Sequence, residues 1–177
     1  MRVLCVIEDL GPGGAQRQLV NLAIALHRRA HVVKVFVYHR ADFFDGSLRD
    51  AGIEVLRSHK STRWSLWPMV ALRAELQRST YDVVLSFLTS SNIYAELART
   101  GLRRPCLVIS ERSALGPDAA RDASIRLRLQ LHRLADYITT NSHHLCEKLR
   151  ELCPWASERI RAIWNGVFAP DLRPQDN

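Results

Sequence analysis

The sequence predicts an α/β domain of the Rossmann-like, doubly wound kind: a parallel sheet with helices on both faces. Two observations carry this. Short apolar runs, rich in β-branched residues, alternate with segments of helical period along the whole chain. Several of the runs are almost uninterrupted in apolar residues, as strands buried on both faces are.

The first run, RVLCVI (Arg2 to Ile7), reads as a strand, and Leu19, Leu22, Ala23 and Leu26 then repeat at helical spacing. Between them Gly11 to Gly14 form a strand-to-helix turn whose missing side chains let a ligand reach the backbone. The unpaired N–H groups of the helix's first turn favour a phosphate or another anion there. A purely steric turn is the alternative, because G-x-G-x-x-G is broken at Gln16 and no G-K-[ST] follows.

HVVKVFVYH (His31 to His39) is a second strand, FFDGSLRDAG (Phe43 to Gly52) a short helix closed by glycine, and IEVL (Ile53 to Leu56) a third strand. WSLWPMVALRAELQRS (Trp64 to Ser79) is helical with Pro68 in its first turn, and Leu66, Val70 and Ala74 form a stripe suited to the sheet. DVVLSF (Asp82 to Phe87) is a strand, TSSNIYAELART (Thr89 to Thr100) a helix whose hydroxyl-rich start suits capping, and CLVIS (Cys106 to Ser110) the next strand. IRLRLQLH (Ile125 to His132) alternates like a strand, yet it is leucine-rich and lacks turn signals, so it reads as a helix. DYITT (Asp136 to Thr140), SHHLCEKLREL (Ser142 to Leu152) and IRAIW (Ile160 to Trp164) complete the alternation as strand, Ser-capped helix and strand.

In such a sheet ligands bind beyond the carboxyl ends of the strands. This places Glu8, Gly13, Gly14, Thr89, Ser90, Ser91, Asn92, Glu111, Arg112 and Asn141 round one crevice.

The formal net charge of +7 rests on arginine, since Lys34, Lys60 and Lys148 are the only lysines, and guanidinium forks match phosphate oxygens. No helix-turn-helix, zinc-finger or RNP-type motif accompanies the charge, so nucleic acid is not expected; an anionic membrane surface or a phosphorylated substrate fits. The four cysteines are scattered without metal-ligand or disulfide spacing, and His143, His144 and Cys146 lack further ligands, so no metal is expected. With no apolar run of membrane-spanning length and no signal-peptide pattern, a cytoplasmic location is expected.

GGAQRQLVNLAIAL, SFLTSSNIYAELA, ISERS, ADYITTNSHHLCEKL and the final IWNGV stand in the order and spacing of the N-terminal domain of GT-B glycosyltransferases of family 4, which this chain resembles over essentially its whole length. SERS is most similar to bacterial members that extend polyprenyl-diphosphate-linked oligosaccharides. The resemblance implies a retaining glycosyltransferase that needs no cofactor beyond its nucleotide-sugar co-substrate, with residues 1–166 as the acceptor-binding domain and 167–177 as the start of an interdomain linker or tail. It implies that Gly13 and Gly14 approach the donor phosphates. Thr89, Ser90, Ser91, Asn92, Glu111, Arg112 and Asn141 become acceptor-binding candidates, and Glu111 and Arg112 also catalytic candidates where the family often has a histidine. An ion pair holding the loop is the plain alternative for those two.

The paired glutamates of the family's donor domain are absent, so a missing C-terminal domain and an inactive isolated chain are expected. A non-catalytic sugar- or phosphate-binding module and another doubly wound protein, flavodoxin-like or epimerase-like, are the alternatives. Arg63, Trp64 and Trp67, basic and aromatic together, are candidates for contact with the inner face of an anionic membrane.

Overall fold

The computed structural model describes residues 1–60, 62, 65–113 and 115–166. Arg63, Trp64 and the linker or tail expected at 167–177 lie outside the described residues. Seven strands form one sheet in the order β3-β2-β1-β4-β5-β6-β7, every neighbouring pair parallel. They are β1 Arg2–Val6, β2 Val32–Val37, β3 Glu54–Arg57, β4 Val83–Phe87, β5 Cys106–Glu111, β6 Tyr137–Thr140 and β7 Ile160–Ala162. The helices are α1 Gly14–Arg28, α2 Asp45–Asp50, α3 Trp67–Arg78, α4 Thr89–Arg99, α5 Ala123–Leu131 and α6 His143–Leu152. The doubly wound sheet is therefore the observed fold, and the ambiguous Ile125–His132 run is a helix, α5, capped by Asp122.

The core lies in two layers. Leu19, Val20 and Ala23 of α1 and Leu48 of α2 pack on Val3, Cys5, Val33 and Val35 on one face. Leu72 and Leu76 of α3, Ala95 and Ala98 of α4, Leu129 of α5 and Leu145 and Leu149 of α6 pack on Leu4, Val6, Leu107 and Ile109 on the other. Successive side chains of each strand serve opposite layers. On the α1 side, beyond α1 itself, a groove of about 310 Å³ runs over Leu85, Phe87 and Val108. The strand order reverses between β1 and β4, so the ends of these two strands open the crevice where ligands bind in such sheets.

Two expectations about helices need correction. Pro68 does sit in the first turn of α3, but the core-facing residues are Pro68, Leu72, Glu75 and Leu76. Leu66, Trp67 and Val70 are 60%, 60% and 45% exposed. The buried Glu75 explains this rotation: its Oε1 accepts from Tyr81 Oη at 2.6 Å and from Ser79 Oγ at 2.9 Å, which satisfies a carboxylate that an apolar count assigns to solvent. At α4, none of the three leading hydroxyls caps the helix; the residue before it is Leu88, at φ 76° and ψ 151°. That conformation is rare for a side-chain-bearing residue and costs about 1–3 kcal/mol, and such strain persists where neighbours over-determine the backbone. Here Leu88 N donates to Ser110 O at 3.3 Å, and Asn92 Nδ2 donates to the same oxygen at 3.1 Å.

Candidate active site

The glycine turn is shaped by Asp9, whose Oδ1 accepts from Gly11 N at 2.9 Å and from Gln16 Nε2 at 3.0 Å. Gly13 is extended at φ −106° and ψ 157°, so neither it nor Gly14 is retained for a left-handed backbone. Their reasons differ. A Cβ on Gly13 would fall 2.1 Å from Gln16 Oε1, whereas a Cβ on Gly14 would meet nothing within 4 Å. The first turn of α1 has no side-chain cap and no acidic residue, and the amides of Gly14, Ala15 and Gln16 have no partner among the described residues. Such donors, without partners at the positive end of a helix, are the arrangement that favours an anion.

Beside it stands Glu8, at the carboxyl end of β1, whose Oε2 accepts from Ser90 Oγ at 3.1 Å. Tyr38 lies behind, its hydroxyl 3.0 Å from Ser91 Oγ; burial pushes the phenol up to about 12, so it stays protonated. Lys60 rests its Nζ 5.7 Å and 5.2 Å from the Tyr38 and Tyr94 ring centres, a cation–π pairing at the crevice wall.

Of the residues placed round the crevice by sequence, Glu8, Gly13, Thr89, Ser90, Arg112 and Asn141 are half-buried and Gly14 is exposed. Ser91, Asn92 and Glu111 are buried: Ser91 Oγ meets Tyr38 Oη, and Asn92 Nδ2 donates to Ser110 O and Glu111 Oε1, while Asn92 Oδ1 has no partner among the described residues. Glu111 does not pair with Arg112. Its Oε2 takes Arg128 Nη1 at 3.0 Å, its Oε1 takes Asn92 Nδ2 at 3.0 Å, and His132 Nε2 lies 3.6 Å away. His132 Nδ1 is 2.7 Å from Glu96 Oε1, both fully buried, and Arg128 also reaches Thr89 Oγ1 at 3.0 Å. Burial pushes the Glu96 carboxyl up, and His132 counteracts it.

This ionic layer under the crevice floor was missed by sequence reasoning, yet it has a signal. Asn92 with Glu96, and Arg128 with His132, are each four residues apart on a helix and so share a face. Arg112 points the other way along the alternation of β5. Its Nε donates to Ser110 Oγ at 3.2 Å, its Nη1 to Asn165 Oδ1 at 2.8 Å, and its guanidinium lies 4.2 Å over the Phe87 ring.

Against this geometry, the profile of Glycosyltransferase Family 4 matches residues 12–168. The chain belongs to glycosyltransferase family 4. A relative in Campylobacter jejuni, the GalNAc-α-(1→4)-GalNAc-α-(1→3)-diNAcBac-PP-undecaprenol α-1,4-N-acetyl-D-galactosaminyltransferase, is 36% identical over 121 residues, covering 64% of this family-4 chain and 33% of its own length. Anabaena HepE, solved with UDP-glucose, superposes with a TM-score of 0.71 at 21% identity, over 94% of this chain and 44% of its own. A UDP-GlcNAc 2-epimerase from Neisseria meningitidis does so at 0.66 with 18% identity, over 93% and 47%. The two structural likenesses show the fold alone. This family-4 chain spans about a third of the Campylobacter relative and less than half of either solved chain.

Proposed function

We propose that this chain is the acceptor-side half of a retaining glycosyltransferase that moves a sugar from a nucleotide-sugar to a polyprenyl-diphosphate-linked glycan, with the donor held by a second half of the protein. The observation that carries the reading is the glycine turn: at the carboxyl end of the sheet the amides of Gly14, Ala15 and Gln16 have no partner among the described residues, and Glu8, held by Ser90, follows the same strand. In the reaction the acceptor oxygen forms a bond to the anomeric carbon as that carbon's bond to the diphosphate oxygen breaks. The diphosphate leaves with the electron pair, and the acceptor hydroxyl proton passes to the departing phosphate. Amides at a helix start stabilise charge developing on that leaving group. Thr89 and Ser90 supply hydroxyls to the acceptor, and Glu8, held by Ser90, accepts from sugar hydroxyls. The acceptor of the Campylobacter relative supports the lipid-linked class.

The test is chemical-shift mapping on the isotope-labelled chain with a polyprenyl-diphosphate-linked oligosaccharide in detergent. Expected are shifts at Glu8, Thr89 and Ser90 and none at the β3 edge. Shifts confined to residues far from the carboxyl end of the sheet, or no shifts at saturating acceptor, contradict the reading.

A lipid-linked acceptor requires approach to a bilayer. No helix among the described residues is long and apolar enough to cross one. Leu66, Trp67 and Val70, exposed together at the start of α3, suit shallow insertion instead, with the net charge of +7 adding attraction to anionic lipid. Sedimentation with phosphatidylglycerol vesicles is expected to carry the chain down at low salt, less so at high salt, and less so for Trp67→Ser with Val70→Ser. Binding indifferent to both salt and the double substitution excludes this surface from membrane contact.

A further inference from the structure

After β7 the chain runs on as an irregular strap, Ile163 to Gly166, along one wall of the groove over Phe87 and Val108. Hydrophobic burial does not hold it there: Ile163 and Trp164 are 58% and 66% exposed. Polar ties from three distant parts of the chain do. Ile163 N donates to Thr140 O at 2.8 Å, Gln18 Nε2 of α1 donates to Gly166 O at 2.9 Å, and Arg112 Nη1 donates to Asn165 Oδ1 at 2.8 Å. His143 packs edge-on to Trp164, with ring centres 5.2 Å apart.

Arg112 is the most constrained of these ties. Its plane is fixed at 4.2 Å over Phe87, and its Nε is anchored on Ser110 Oγ at the end of its own strand. It has no carboxylate partner among the described residues, because neighbouring Glu111 faces the opposite layer and is taken by Arg128. A guanidinium so placed holds its own strand end through Nε and reaches the strap through Nη1.

We propose that Arg112 is a positioning residue: with Gln18 it straps residues 163–166 to the carboxyl end of the sheet and sets the direction in which the polypeptide continues. In the two-half enzyme this ties the acceptor-side end of β5 to the path toward the donor half, a consequence that rests on the transferase reading. Arg112 thus acts through Asn165 and does not touch the acceptor.

The test is a double-substitution cycle read by hydrogen exchange at the Ile163 amide in the 177-residue chain. Arg112→Gln and Asn165→Ala are each expected to speed its exchange about tenfold, as loss of a charge-assisted hydrogen bond does, and the double variant no further. Asn165→Asp, which turns the tie into an ion pair, slows exchange below the unsubstituted rate. Asn165 is exposed, so its variants keep the core intact. Additive effects, or an Asn165→Ala chain indistinguishable from the unsubstituted one, overturn the proposal, and neither result depends on the transferase reading. In the enzyme with both halves, Arg112→Gln and Asn165→Ala should lower kcat by the same factor with the acceptor KM unchanged. A raised acceptor KM in Arg112→Gln alone makes Arg112 an acceptor ligand and overturns the proposal.

Discussion

Glu111→Ala is expected to destabilise the domain by about 3–5 kcal/mol, the range for removing one partner of a buried ion pair. Glu111 is 1% exposed and is the common acceptor for Arg128 and Asn92, with His132 beside it. Its loss leaves the Arg128 guanidinium with only Thr89 Oγ1 and the Asn92 amide with only Ser110 O, so a cation inside the protein loses its counter-charge. The damage should extend beyond β5, because Arg128 and His132 belong to α5 and its extension, and Asn92 also braces the Leu88 turn through Ser110 O. Against a total stability of about 5–15 kcal/mol this is a large share. Glu111→Gln keeps the shape and one acceptor oxygen and should cost less. Urea unfolding followed by tryptophan fluorescence gives both values. A Glu111→Ala midpoint equal to that of the unsubstituted chain would show that the ionic layer contributes nothing to the fold.

Gly14→Val is expected to leave stability within about 0.5 kcal/mol, as surface substitutions away from special backbone do, because its Cβ points into open space. Turnover in the enzyme with both halves should nonetheless fall by about 100-fold, the scale on which one misplaced oxyanion donor is felt. The new isopropyl group would stand where the diphosphate approaches the amides of Gly14 to Gln16. Gly13→Ala reverses the pattern: its methyl collides with Gln16 Oε1, breaks the Gln16–Asp9 bond and lowers stability by about 1 kcal/mol. The contrast separates a glycine whose Cβ would displace the Gln16 side chain from one whose Cβ would touch nothing. Full turnover in Gly14→Val would make the turn a steric connection only.

The order of strands and helices was legible because the two hydrophobic periods differ so plainly in RVLCV and in the α1 sequence, and because strand ends in a doubly wound sheet converge. The orientation of α3 was not. Val70 and Ala74 have the right spacing for a core stripe, but the helix turns about Glu75, whose burial depends on Tyr81 beyond the end of the helix. Likewise Ser91, Asn92 and Glu111 read as crevice residues because each follows a strand end. Their actual partners, Tyr38, Arg128 and His132, come from elements remote in sequence, and no local pattern announces them. Glycine and helix start, by contrast, form one contiguous segment, so the uncapped start of α1 was visible in the sequence itself.

The measurement that bears most directly on the account is sugar transfer from labelled nucleotide-sugars to a polyprenyl-diphosphate-linked oligosaccharide, run side by side with the 177-residue chain alone and with this chain joined to a donor-side half. Transfer by the joined protein and none by the chain alone is the predicted result. Turnover by the isolated chain, or a joined protein that transfers nothing while the chain binds flavin or dinucleotide in its glycine turn, would contradict it.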